Sequence, residues 1–154
     1  MTRTLLFTIA TCTTMFSWAQ EVDQLLKEIN ARYQGSVKFR IDKDDRLIAD
    51  LFDQSGHFRQ DAVYLEFLDP VTFRYSPEED AVIMGCQEEH PGCVEKEVFK
   101  MNVIRHSGRS VLPAPAGDPE ATATLSDLAE LVSLVHVRQE LARSETHPRP
   151  ERKK

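Results

Sequence analysis

Ser36-Val37-Lys38-Phe39-Arg40-Ile41-Asp42-Lys43-Asp44-Asp45-Arg46-Leu47-Ile48-Ala49-Asp50-Leu51-Phe52 is the stretch on which the fold turns. Val37, Phe39 and Ile41 alternate with Lys38 and Arg40, a period of two that gives a strand one dry and one wet face. Asp42 to Asp45 is turn chemistry. Arg46 to Phe52 then reads as the next strand. Two strands joined by four polar residues run antiparallel, because a parallel pair needs a long crossover.

The same pattern continues downstream. Asp53-Gln54-Ser55-Gly56 turns the chain, and Val63, Leu65 and Phe67 alternate on a third strand. Val71, Phe73 and Tyr75 make a fourth, before a turn at Ser76-Pro77-Glu78-Glu79-Asp80 with proline where a type I turn favours it. Ala81 to Cys86 is a fifth strand, Cys93 to about Arg105 a long sixth, and Ser110 to Leu112 a short seventh. Phe52, Phe58, Phe67, Phe73 and Phe99 read as core.

Helical periodicity brackets this region. Val22, Leu25, Leu26 and Ile29 recur at steps of three and four within 21–33, and Gly35 is placed to stop that helix. Past Pro113, Pro115 and Gly117, Asp118-Pro119-Glu120 carries helix-start chemistry. An apolar stripe of Leu125, Leu128, Leu131, Val132, Val135 and Leu141 follows, to about Arg143. The expectation is an α+β domain: an antiparallel meander of about six or seven strands, with a short N-terminal helix and a C-terminal helix packed on the sheet. No internal repeat is visible.

The ends of the chain read differently. Met1 to Ala19 has one arginine, a short apolar run and the small residues Ser17 and Ala19 at the positions a signal peptidase reads. Cleavage after Ala19 is expected, with a lipid-anchored Cys12 as the rival reading. Residues 144–154 are polar, contain two prolines and end in a basic cluster, the composition of a disordered basic tail. The chain has 154 residues and a net charge of −6. Residues 20–143, the expected single domain, hold 14 basic and 23 acidic side chains, for a net of −9. That acidity argues against a nucleic-acid binder, and no apolar run is long enough for a membrane span.

Removing 1–19 leaves two cysteines, Cys86 and Cys93, and in an exported chain such a pair is expected to be bonded. The competing readings are a metal site of Cys86, His90 and Cys93, with Glu88, or a redox switch. The C-x3-H-x2-C spacing matches no common zinc knuckle. Asp42 to Asp45 starts like a calcium loop, but the glycine is missing and Arg46 occupies a ligand position. His57 and His106 lie near Ser55, Ser107 and Asp53, so a histidine–serine–aspartate arrangement is a candidate for catalysis. Arg105-His106-Ser107-Gly108-Arg109 is a compact cationic turn suited to an anion, with Arg105, His106 and Arg109 as its side chains. Acidic clusters at 78–80 and 88–89 suit a basic partner or a solvated hairpin tip.

The segment from Leu65 to Ile104, with Tyr75-Ser76, Glu78-Glu79-Asp80-Ala81-Val82, Cys86 and Cys93-Val94, resembles small exported bacterial domains of unknown function that carry a cysteine pair at a hairpin tip. From Ser36 to Arg143 the order of strands closed by one helix also resembles the pleckstrin-homology-like architecture, which implies a non-enzymatic binding scaffold. A cystatin-like arrangement is the architectural rival. The expected function is an exported, non-catalytic binding module without cofactor or metal, recognising a protein or peptide, in part by strand addition. The alternatives are a carrier of a small apolar ligand in a partly closed barrel, and a metal-binding protein or enzyme using Cys86, His90 and Cys93.

Overall fold

The computed structural model describes residues 13–146. Residues 1–12, including Cys12, and tail residues 147–154 lie outside the described part. The element order is α1 (Thr13–Tyr33), β1 (Val37–Ile41), β2 (Arg46–Asp53), β3 (Gly56–Tyr64), β4 (Arg74–Ser76), β5 (Ala81–Gly85), β6 (Val94–Val98), β7 (Val103–Ser107), β8 (Arg109–Pro113) and α2 (Thr122–Thr146). Short 3-10 turns occupy Leu65–Phe67, Pro70–Thr72 and Phe99–Met101. The fold class is α+β with all strands antiparallel, as the alternation predicts.

Among the described residues the strands number eight, not six or seven, and they form two sheets rather than one meander. The larger sheet has the order β1-β2-β3-β6-β7 and the smaller β4-β5-β8. The chain leaves the large sheet after β3, builds β4 and β5 elsewhere, and returns for β6 and β7 before crossing again to β8. Three differences from the sequence pattern produce this. Leu65 and Phe67 sit in a 3-10 turn instead of a strand, so the third strand ends at Tyr64. Pro70 and the Asp69 carboxylate, which accepts from the Val71 N–H at 3.0 Å, start another such turn and shorten β4 to three residues. The long sixth segment folds back on itself as β6 and β7, with Asn102 in the left-handed region (φ 49°) inside the connection.

One face of the large sheet presents Val37, Phe39, Leu47, Ala49, Leu51, Val63 and Val94, all in the main core. Helix α1 covers the β1 end with Val22, Leu25, Leu26, Ile29 and Tyr33, and the Tyr33 and Phe39 rings lie 5.4 Å apart. Helix α2 adds Leu128, Leu131 and Val132, and the small sheet adds Val82, Met84 and Leu112. Burial of this kind stabilises by about 25 cal/mol for each Å² of apolar surface removed from water. The helices are locked together by the Arg32–Asp127 ion pair at 2.6 Å. Gly117 passes close against Arg32, where a Cβ would come within 3.1 Å of the Arg32 Cα.

Several side-chain expectations are corrected. Phe52 and Phe99 are exposed, and Phe58, Phe67 and Phe73 are only partly buried. Leu141 is 60% exposed and is not part of the buried stripe. Helix α1 begins at Thr13 rather than Glu21 and runs across the expected cleavage point; half-buried Trp18 packs on the core one turn before Val22. Helix α2 extends through Thr146, so residues 144–146 of the expected tail are helical.

Helix α2 starts at Thr122, later than Asp118-Pro119-Glu120 suggests, because Ala121 is buried with φ 55°. The Asp118 carboxylate still reaches the helix and accepts from the Thr124 N–H at 2.8 Å. Burial pushes the Asp118 carboxyl up, but the Thr124 N–H and hydroxyl and the Arg32 guanidinium outweigh it and hold it below the usual carboxylate range. A depressed folded-state pKa gives stability that is complete above the unfolded value, about 3.9, and is lost as pH falls through the folded value. Asp118→Ala should therefore cost about 1 kcal/mol at pH 7. Denaturant titrations at a series of acid pH values should show that difference shrinking below about pH 4.

Candidate functional site

The cysteines are bonded: the Cys86–Cys93 sulfurs are 2.05 Å apart and the Cα atoms 5.9 Å. Cys86 follows β5 of the small sheet and Cys93 precedes β6 of the large one, so the bridge ties two sheets together and is not at the tip of a two-stranded hairpin. This pairing fits an oxidising compartment. Cys86 also donates its N–H to Gly108 O (2.9 Å) and bridges to Leu68. His90 does not join the sulfurs as a ligand set; its ring stacks on Phe67 with centroids 4.0 Å apart. Among the described residues no group of His, Cys, Asp and Glu side chains is arranged to hold a metal ion.

The cationic segment 105–109 is a corner where the chain passes from β7 to β8. One of its backbone N–H groups, that of Arg109, is taken within the corner. Ser107 Oγ accepts from the Arg109 N–H (3.3 Å) and donates to the Arg109 carbonyl (2.9 Å). A Cβ on Gly108 would lie 2.8 Å from the Pro91 carbonyl oxygen, so the disulfide loop fills that side of the corner. Alternation along β7 also separates the expected trio. Arg105 lies directly opposite Lys96, and His106 lies opposite Glu95 on the other face. His106 borders a cleft of about 420 Å³ together with Arg46, Tyr64, His90 and Glu95.

On the Arg105 face the register builds a row that composition does not reveal: Ala49, Asp61, Lys96 and Arg105, on four consecutive strands. Asp61 is 2% exposed. Its carboxylate takes Arg59 Nε at 2.9 Å and the Ser110 hydroxyl at 2.5 Å, while Arg59 Nη2 donates to the Val111 carbonyl at 2.5 Å. Lys96 forms no ion pair among the described residues. Burial lowers its proton affinity; Asp61 pulls it back up, and the charges of Arg59 and Arg109 press it further down. Arg105 is the register partner of Lys96 on β7, but the cations that act on the lysine are Arg59 and Arg109.

The four sheet edges are unequal. Beyond β1 lies Asn30 of α1, whose side chain accepts from the Phe39 N–H (2.6 Å) and donates to the Phe39 carbonyl (2.9 Å), as a neighbouring strand would. Strand β4 has three residues. Strand β8 is bound to the large sheet through Arg59 and Ser110. Among the described residues, no strand lies beyond β7. There Ile104 is 59% exposed, with Arg105 and His106 exposed beside it and Met101 58% exposed just before the strand.

The catalytic arrangement considered from sequence does not assemble. His57 Nε2 lies 3.2 Å from Asp50, not beside Asp53, and its ring sits between Phe52 and Phe99. The Ser55 hydroxyl is bonded to Asp53 within its own turn. Asp42 likewise spends its carboxylate on the N–H groups of Asp44 and Arg46 and on the Arg46 side chain. A second cleft, of about 350 Å³, opens between α1 and α2 and is lined by Trp18, Val22, Ile41, Leu65 and Val135; Arg138 lies 4.4 Å above the Trp18 ring. Sequence reasoning gave no sign of this cleft, since Trp18 falls within the expected signal.

The disulfide joins residues seven apart but spans two sheets. Replacing both cysteines by serine should cost about 2–3 kcal/mol in a denaturant titration, and reductant should lower the stability of the native chain by a similar amount without affecting the variant. Comparison with protein-family models, with curated proteins and with solved structures finds no match to this chain in any of the three.

Proposed function

We propose that this chain is an exported, non-catalytic binding module that takes up an extended peptide segment as an added strand on the free edge of β7. The observation that carries this reading is the asymmetry of the edges: Asn30 fills one, β4 is too short to offer one, and β8 is bound to the large sheet, while β7 leaves Ile104, Arg105 and His106 exposed. Exposed edges are normally blunted in proteins that must stay unpaired. Strand addition gains affinity from main-chain hydrogen bonds and selectivity from alternate side chains. Among the described residues no helix is long and apolar enough to cross a membrane. The Cys86–Cys93 bond supports export. Eight strands in two sheets closed by α2 are compatible with the pleckstrin-homology-like resemblance, which we keep as part of the proposal.

The carrier reading has one observation in its favour, the apolar cleft at Trp18, although that cleft lies between helices at the surface and not inside a barrel. Strand addition is tested by passing the purified protein over an immobilised library of extended peptides and measuring hydrogen exchange in the bound state. Amides of β7 that exchange readily in the free protein should slow about tenfold or more on binding. Retention of no peptide, or protection only at the Trp18 cleft, would overturn the proposal, and the second result would replace it with the carrier reading.

A further inference from the structure

A strand added beyond β7 continues each row of the large sheet by one position, so the register specifies what its side chains meet. Residues directly opposite one another share a face. The row Asp61, Lys96, Arg105 reads minus, plus, plus, and its next position is empty. Asp61 is paired with Arg59 and accepts from Ser110, and its attraction for Lys96 is outweighed by burial and by the charges of Arg59 and Arg109. Neither Lys96 nor Arg105 has an ion pair among the described residues, and Arg109 adds a third unpaired cation nearby. The adjacent rows end in Val103, beside Val98, and in Ile104, beside Glu97. Val103 is half-buried and Ile104 is exposed, so both offer apolar surface to a neighbour.

Resting on the strand-addition reading, we propose that the β7 edge selects a peptide with an acidic side chain opposite Arg105 and two consecutive apolar residues opposite Ile104 and Val103. Such a carboxylate completes the charge row and gives Arg105 a partner of opposite sign. The two apolar residues, pointing to opposite faces, cover Val103 and Ile104. A second copy of this chain is a poor occupant: antiparallel pairing of two β7 strands about Arg105 sets arginine against arginine. The preferred segment, read in its own direction for antiparallel addition, is an acidic residue followed by two apolar ones.

The test uses a capped six-residue peptide with a central glutamate followed by two valines, its reversed counterpart for parallel addition, and the same pair with glutamine at the centre. Binding is read by fluorescence polarisation at low and high salt. The glutamate peptide of the favoured direction should bind about two- to fivefold more tightly than its glutamine form, and high salt should narrow the gap. Arg105→Gln should make the two peptides equal, and Lys96→Met should reduce the preference while raising the thermal midpoint of the unliganded protein. Circular dichroism establishes that both variants fold. Equal binding of glutamate and glutamine peptides by the native protein overturns the charge selection and leaves strand addition standing. Absence of binding by any of the peptides overturns both. A preference that survives Arg105→Gln assigns the carboxylate to another place and overturns the inference as well.

Discussion

The buried carboxylate of Asp61 is the interaction on which the arrangement of the two sheets depends. An ionised group removed from water costs several kcal/mol unless its partners replace the lost hydration. Here the replacement comes from both sheets. Arg59 belongs to the same strand as Asp61, and Ser110 belongs to β8, which the large sheet does not otherwise include. The bond to Ser110 fixes where β8 lies, and Arg59 fixes it again through the Val111 carbonyl. The disulfide and the Cys86–Gly108 hydrogen bond close the same corner from the other side. Arg59 pairs with this carboxylate, Lys96 lies beside it on β6, and Arg105 continues the row onto β7.

Much of the fold was legible in the sequence. The first hairpin was clear because its alternation is strict and its turn is wholly polar; Val37, Phe39, Leu47 and Leu51 all reach the core. The division into two sheets was not legible. It depends on Leu65 to Phe67 adopting a 3-10 turn, and three residues with apolar ends look alike as a strand and as such a turn. Asn102 at positive φ was the available sign that the long sixth segment folds back, since asparagine is among the few residues that tolerate that conformation. The phenylalanines misled because hydrophobicity predicts burial only statistically: Phe52 and Phe99 instead enclose the ring of His57 beside the turn between β2 and β3.

The candidate site was half legible. Clustered basic residues at 105 to 109 drew notice as a turn, and the strand periodicity of β7 was the overlooked signal that Arg105 and His106 face opposite ways. Lys96 was not assigned to the site from sequence because the register that sets it beside Asp61 joins distant strands. Arg59 and Asp61, two apart on one strand, were an overlooked same-face pair. The bonded cysteines were predictable from their number once residues 1–19 are set aside; that the bond joins two sheets was not. Trp18 was missed for a different reason. The apolar period of α1 reaches back to it at a step of four from Val22, but an expected cleavage point stood between them.

Asn30 has a consequence for how copies of the molecule associate. By occupying the Phe39 N–H and carbonyl, it gives β1 the hydrogen bonds of a neighbour without the length of one. Among the described residues the two ends of the large sheet therefore differ: at β1 the Phe39 N–H and carbonyl are taken by a side chain, and at β7 no strand lies alongside. Growth of a fibril by edge-to-edge stacking requires two accepting ends on every unit. With β1 blunted at Phe39 by a single amide side chain, copies of the described fold meet an obstacle to stacking end on end.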